Sequence, residues 1–376
     1  MKLRVQLGTC DVIPIMNAQT TQRRKTRPVR VGNVTVGGDA PVSVQSMTKT
    51  HTEDVGSTIR QIEELAQVGC EIIRCAVPNR RAASALAEVK RHSPIPIVAD
   101  IHYDHHLALL SMDAGADGIR INPGNMTDQA GLREVFRAAA ERRIKVRVGV
   151  NSGSVRPRDG MEVKREGTQE DLAETMVRAA LECSRGAEAE GCTGIVLSLK
   201  ASDVPTTIRA YRLAAERCDY PFHVGITAAG PPQASIIKSA AGIGTLLAEG
   251  IGDTIRVSMT APPHAEVEAA LRILEALELR ECQGPEIVSC PTCGRCMIDL
   301  QPLVAEVADR LKGCRKRIKV AIMGCVVNGP GEAAEADVGI AGGKEFGYLF
   351  RNGKRIKKLE ADRLADALIA EIESMA

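Results

Sequence analysis

Eight short apolar runs, each followed by a stretch of helical period, set the tightest limit on what this chain can fold into. The runs fall at 42–47, 72–77, 95–100, 118–122, 145–150, 194–200, 222–227 and 254–259. Segments of 3.6-residue periodicity lie between them, among them 57–68, 82–92, 169–190 and 232–249. A parallel strand pair needs a helical crossover, so eight βα units in succession predict an α/β fold, a TIM (β/α)8 barrel. A doubly wound open sheet is the weaker alternative, because no Gly-rich dinucleotide fingerprint follows the first strand. A short β-like opening at 29–36 precedes the first unit, and the last barrel helix is expected at 265–279.

Composition changes after that helix. Gln283-Gly-Pro285 reads as a linker, and Cys, Gly and Pro turns follow at once. Beyond them come a helix at 300–311, a strand at 319–323, a hairpin around Arg351-Asn-Gly353 and a C-terminal helix at 360–375. The reading is a barrel over 23–284 followed by a small α+β domain over 285–376. A chain of 376 residues with 44% hydrophobic content can bury both cores. At the N-terminus, Lys2 and Arg4 are followed by Gln6, Gly8, Thr9 and Asp11, so no apolar signal region develops. Residues 1–22 are therefore expected to be a disordered leader, with Met16 the expected true start.

A net charge of +2 gives no reason to expect nucleic acid or a membrane surface, and the absence of Trp with 2% aromatics removes stacking platforms. No apolar run approaches the roughly 18 residues of a membrane span. The twelve cysteines are irregularly spaced over a long chain, unlike a secreted disulfide framework. The expectation is a cytoplasmic protein whose clustered cysteines bind metal.

Two groups of residues carry chemistry. The first is basic: Arg74, Arg120, Arg147, Lys200 and Arg256 all lie in or at the ends of apolar strand runs. Burying a cation is costly without an anionic partner. Taken singly, each is best paired with a nearby acid; five near five strand ends point together to a polyanion site at the C-terminal face of the barrel. Asp100 and His102 close the third run, Asn122 the fourth, and Asn151 with Ser152 the fifth. Asp100 is a candidate base or hydroxyl acceptor, and equally a group that orients an arginine. His102 is a candidate donor to phosphate, while His105 and His106 fall where the next helix begins and read as surface. The turns at 123–125 and 149–153 expose backbone N–H groups that can cradle phosphate oxygens.

The second group is Cys290-Pro-Thr-Cys293 with Gly324-Cys325 and Asn328-Gly-Pro-Gly-Glu332. Three thiolates and a carboxylate on tight turns suit a soft metal or an iron–sulfur cluster. Zinc is the leading alternative, since a CxxC with a distant ligand pair is the ribbon pattern; against it, the second half offers one Cys and a Glu. Cys296 extends the first motif toward a ferredoxin-type run and is read as a neighbour, not a ligand. Cys10, Cys70, Cys75, Cys183, Cys192, Cys218, Cys282 and Cys314 read as core or surface residues.

At this point the motifs resemble a known family. Arg120-Ile-Asn-Pro-Gly-Asn125, Val148-Gly-Val-Asn-Ser-Gly-Ser154, Lys200-Ala-Ser-Asp203, Glu249-Gly-Ile-Gly-Asp-Thr-Ile-Arg-Val-Ser258, Cys290-Pro-Thr-Cys-Gly-Arg295 and Met323-Gly-Cys-Val-Val-Asn-Gly-Pro-Gly-Glu-Ala333 look like the 4-hydroxy-3-methylbut-2-enyl diphosphate synthase family. The resemblance runs from about Arg23 to the C-terminus. It implies a [4Fe–4S] cluster held by Cys290, Cys293, Cys325 and Glu332, the last a replaceable ligand, which makes the second domain an iron–sulfur domain. It implies reductive ring opening of 2-C-methyl-D-erythritol 2,4-cyclodiphosphate with two electrons from flavodoxin or ferredoxin. It further implies that Arg74, Arg120, Arg147 and Lys200 hold the diphosphate, with Arg256 and Ser258 beside them, and that Asp100, His102, Asn122 and Asn151 line the pocket. A head-to-tail homodimer follows from the same resemblance.

One position departs from the pattern. The family typically reads Ile-Thr-Glu-Ala-Gly after the seventh strand, its Glu a proton donor, and here the segment is Ile226-Thr-Ala-Ala-Gly230. Ala228 transfers no proton, so another acid or water substitutes, or the chain is an impaired member. Two further readings stand beside the reductase. One is a pterin- or corrinoid-dependent methyltransferase on a similar barrel, which leaves the arginines and the cysteine tail unexplained. The other is a binding protein that keeps the cluster without turnover.

Overall fold

The computed structural model describes residues 22–126, 128–155, 169–281, 284–325 and 329–375, without the side chains of residues 169–171, 330 and 332. The expected leader thus lies, but for Gln22, outside the described residues. The chain divides into two compact units at Arg280 and Glu281.

In the first unit a hairpin of β1 (Val29–Val31) and β2 (Val34–Val36) precedes eight strands. These are β3 (Ser43–Met47), β4 (Ile72–Ala76), β5 (Ile97–Asp100), β6 (Gly118–Ile121), β7 (Lys145–Asn151), β8 (Ile195–Lys200), β9 (His223–Val224) and β10 (Thr254–Ile255). Each is followed by a helix: α1 (Val55–Gln67), α2 (Arg80–His92), α3 (His105–Asp113), α4 (Gln129–Arg142), α5 (Gln169–Ala189), α6 (Val204–Arg217), α7 (Pro232–Ala248) and α8 (Pro263–Ala276). The strands pair in parallel in the order β8-β7-β6-β5-β4-β3-β10-β9, and a parallel bridge from Leu197 to Phe222 closes the ring. This is the (β/α)8 barrel that the alternation demanded.

Local chemistry explains the helix starts. Asp54, Asn79 and Asp203 accept the N–H groups of Ser57, Ala82 and Thr206 at 3.1, 3.0 and 2.8 Å, and Asp128 accepts those of Ala130 and Gly131. A short polar side chain thus takes up orphan donors where the chain turns from loop into helix. The floor is sealed by the hairpin, whose Val29, Val31 and Val36 pack on Ile72, Val98 and Val196 near the starts of β4, β5 and β8. Strands β9 and β10 are shorter than the runs at 222–227 and 254–259 suggest. Past them the chain bonds singly, Arg256 N–H to Val224 O at 3.0 Å and Thr227 N–H to Ala201 O at 3.1 Å, as it leaves the ladder.

The second unit holds β11 (Glu286–Ser289), α9 (Leu300–Arg310), β12 (Lys319–Met323), α10 (Gly329–Ala334), β13 (Val338–Gly342), β14 (Phe346–Arg351), β15 (Lys354–Glu360) and α11 (Leu364–Ser374). The sheet order is β11-β12-β13-β14-β15, parallel across the first three strands and antiparallel across the rest. Helices α9 and α11 bury one face through Leu300, Val307, Leu368 and Ile372 against Val320, Ile322, Val338 and Ile340. The β14–β15 turn has Asn352 and Gly353 at φ 47° and 74°, the backbone that an Asn-Gly hairpin adopts. The last helix starts at Leu364 and not at 360, because β15 stays paired with β14 as far as Glu360.

Candidate active site and metal centre

Inside the barrel the five basic residues and Asp100 form one network. Asp100 ends β5, opposite Arg120 of β6 and Ala76 of β4 in the ladder. Its carboxylate lies 3.5 Å from Arg74 Nε, 3.3 Å from Arg120 Nη1 and 3.6 Å from His102 Nε2. Burial alone would raise its pKa, but Arg74, His102 and Arg120 outweigh that and hold it well below the carboxylate range. Asp100 is therefore an ionised clasp for two arginines and a histidine.

The other cations are less well paired. Arg147, 1% exposed, donates Nη1 to Gln45 Oε1, while its Nη2 is buried with no partner. Arg256 meets Glu266 at 3.2 Å and leaves Nε unpartnered. Lys200 has no carboxylate within ion-pairing distance among the described residues. Met47 accepts from the Arg74 guanidinium at 3.0 and 3.3 Å, a weak thioether acceptor where an oxygen would bind better. Among the described residues five cations thus face two buried carboxylates, Asp100 and Glu266. Burial first, then the neighbouring cations, pushes Arg147 and Lys200 well below their ordinary values. Guanidinium groups keep their protons in protein interiors, so of the two it is the Lys200 ammonium whose charged form most needs an anion beside it. Unpartnered donors and surplus positive charge in a dry interior are what a bound polyanion would complete.

The loops beyond β6 and β7 are tied together by Asn122. Its Oδ1 accepts from Gly124 N–H at 3.1 Å and from Ser154 Oγ at 3.2 Å. A Cβ on residue 124 would stand 2.2 Å from Ser154 O, so the two loops meet only because Gly124 lacks one. Asn151 is half-buried, with its carbonyl accepting from Ser154 Oγ at 2.8 Å. Ser258 is half-buried and its carbonyl accepts from Ser235 Oγ at 2.6 Å. His105 and His106 sit at the start of α3 against Asp128 and Asp104, at 3.3 and 3.0 Å, away from the cations. Ala228 is exposed and held at φ 49°, a left-handed conformation costly for a residue other than glycine.

Gln45, Met47 and Glu266 are members of this network that the sequence reading did not pick out. Gln45 and Met47 are alternate residues of β3 and so share a face, which was a usable signal. Glu266 comes from the first turn of α8 and bonds Lys49, Arg256 and the Met259 N–H. A separate cleft of about 710 Å³ runs between α4 and α5, and none of the five cations lines it.

In the second unit β11 and β12 lie parallel with Ser289 opposite Ile322, so Cys290 and Gly324-Cys325 leave adjacent strand ends together. Cys290 N–H bonds Ile322 O at 3.3 Å, Met297 N–H bonds Gly324 O at 2.8 Å, and Cys296 N–H bonds Cys293 O at 2.9 Å. A Cβ on residue 324 would lie 2.4 Å from Cys296 Sγ and 3.5 Å from Cys290 Sγ. Gly324 therefore keeps open the space into which the thiols gather. The backbone N–H of Arg295, then its side chain, lowers the pKa of the exposed Cys293 thiol, and Cys325 is near enough to oppose that shift. By contrast burial pushes Cys70, Cys75 and Cys183 up to about 12, as inert core thiols. The donor set fits a soft metal or an iron–sulfur cluster. The side chain of Glu332 lies outside the described residues, as do Cys10, Cys282 and Asn328.

Known proteins match this chain over most of its length. A model of the GcpE TIM-barrel domain matches residues 26–271, and one of the GcpE protein C-terminal domain matches residues 286–374. The 4-hydroxy-3-methylbut-2-en-1-yl diphosphate synthase (flavodoxin) of Geobacter sulfurreducens is 54% identical over 356 residues, covering 94% of this chain and 98% of the relative. Proteins of the same name from Dehalococcoides mccartyi and Aquifex aeolicus are 52% and 50% identical, each over 94% of this chain and 99% and 98% of their own lengths.

A bound polyanion should favour the charged form of Lys200, which burial disfavours. Binding of inorganic sulfate, which carries no titrating proton in this range, measured by calorimetry in buffers of differing ionisation enthalpy, should therefore be accompanied by proton uptake. The window lies between the lowered value of Lys200 and its ordinary 10.5. Proton release, or none exchanged in that window, contradicts the charge surplus.

Proposed function

The chain belongs to the GcpE family, and from that premise we propose that it catalyses the two-electron reductive ring opening of 2-C-methyl-D-erythritol 2,4-cyclodiphosphate to 4-hydroxy-3-methylbut-2-enyl diphosphate. The observation that carries the reading is the surplus, among the described residues, of five cations, three buried and two half-buried, over two carboxylates at the strand ends of the barrel. A cyclic diphosphate supplies the missing negative charge. The named relatives point to flavodoxin as donor. The methyltransferase alternative finds no support, since these relatives carry the synthase name.

In this reading Cys290, Cys293 and Cys325, with Glu332, hold a [4Fe–4S] cluster in a head-to-tail homodimer. When bound, the cluster supplies low-potential electrons. The chain's own residues do the remainder. Arg74, Arg120, Arg147, Lys200 and Arg256 grip the diphosphate, with Ser258, Asn122 and Asn151 at the rim. Asp100 holds the arginines and turns His102 by its Nε2–H, so that in the imidazolium form the Nδ1–H is free to give its proton to the departing hydroxyl, which leaves as water. His102 then recovers its proton from solvent, to which it is 44% exposed. That role answers the lack of an acid at Ala228.

Anaerobic purification should yield about four irons per chain, and Cys325→Ala should lose them while keeping its circular dichroism. Stoichiometric zinc in the native chain sinks the reading, and full iron retention without Cys325 sinks the ligand set. His102→Gln should lower kcat/KM for the cyclodiphosphate by about 10²–10⁴. Adding Ala228→Glu to that variant should recover part of the loss and shift the pH profile toward a carboxylic acid. An unchanged rate and profile for His102→Gln rules out His102 as the proton source.

A further inference from the structure

The whole chain has four Tyr, four Phe and no Trp. Three of those eight aromatics, Phe346, Tyr348 and Phe350, occupy alternate positions of β14 and so share one face of the sheet. Their rings form an edge-on series with centroids 5.7 and 6.5 Å apart. Helices α9 and α11 pack on the opposite face, and α10 covers this one over β12, β13 and the Phe350 end of β14, through Ala333 and Ala336 against Ala321, Met323, Ala341 and Phe350. Phe346 and Tyr348 stay half-buried, and cations roof them. Lys358 Nζ lies 3.6 Å from the centroid of Phe346, and the Arg355 guanidinium 4.5 Å from that of Tyr348.

The cations belong to β15, the edge strand, where Lys354, Arg355, Lys357 and Lys358 fall within five residues around an exposed Ile356. None of the four has a carboxylate partner among the described residues, whereas Arg310, Lys312 and Arg351 of the same unit are all paired. Lysines on an edge strand guard against edge-to-edge pairing, and that alone would account for the charge. It does not account for the aromatic residues gathered beneath. Nor does it account for their continuity with the cysteine centre: Tyr348 and Phe350 pack in one apolar layer with Met323, Val288 and Cys290.

We propose that the β14–β15 ribbon is the docking surface for an acidic electron-transfer protein of the flavodoxin class. The inference rests on the redox reading above. Unpaired cations raise the encounter rate with an acidic partner. The rings beneath them provide the area that a small, transient interface dehydrates at its centre. The layer they form is the one that ends on Cys290.

The test compares the native holoenzyme with Arg355→Glu/Lys358→Glu, the two cations over the rings, and with Lys312→Glu/Arg315→Glu, an equal charge change beyond α9 on the other face. Binding of oxidised flavodoxin is read by calorimetry. Turnover is read with reduced flavodoxin and, separately, with dithionite-reduced methyl viologen. The ribbon variant should raise the Kd and KM for flavodoxin about tenfold or more and leave the viologen rate unchanged, while the control stays within about twofold. Unaltered binding by the ribbon variant overturns the proposal. So do equal losses in the control, an equal fall in the viologen rate, or no binding by the native chain. Binding is measured without substrate, so a native chain that binds flavodoxin but fails to open the cyclodiphosphate with viologen refutes the reaction and leaves the docking result standing.

Discussion

Holding five cations around two carboxylates inside a closed barrel is the constraint on which the first unit depends. Asp100 is the pivot, because it keeps its charge in a buried position only while Arg74, Arg120 and His102 surround it. Remove that carboxylate and the neighbouring guanidinium groups lose their orientation together. Among the described residues the surplus charge left over has no protein partner, as the orphaned Arg147 Nη2 and Arg256 Nε show. A fold that tolerates such an arrangement has stability set aside for binding an anion. The hairpin floor serves the same end, since it closes the end of the barrel opposite the strand ends that carry His102 and Lys200.

The second unit solves a different problem with the same device, parallel strands in register. Two cysteine motifs some thirty residues apart become neighbours because β11 and β12 end side by side, and Gly324 leaves the room between them. A thiol on an exposed turn beside Arg295 is easily ionised, while those buried in the barrel are not. The difference between reactive and structural cysteines is thus one of environment and not of residue type.

Much of this was legible beforehand. The barrel was legible because doubly buried parallel strands read as continuous apolar runs, in which a charge such as Arg120 or Arg147 cannot be hidden. Strand 319–323 and the Asn352-Gly353 turn were legible for equally local reasons. The strand β11 was not, because four half-exposed residues carry no clear period, and neither was β13. Glu266 escaped notice because it lies on a helix, outside the strand runs, where an acid ordinarily faces solvent; its contact with Lys49 is one that only ring closure creates. The aromatic stripe on β14 was visible as alternation, but which face α9 and α11 leave open is a tertiary fact.

The central claim is that surplus positive charge in the barrel exists to hold a diphosphate. The most direct test is the affinity of the cyclodiphosphate for the native chain and for Arg147→Met, by calorimetry on protein freed of iron so that chemistry cannot intervene. Loss of a buried charge-assisted contact should cost about 1.5–3 kcal/mol, roughly ten- to a hundredfold in Kd. Equal affinity in the two proteins, both folded, would contradict the account.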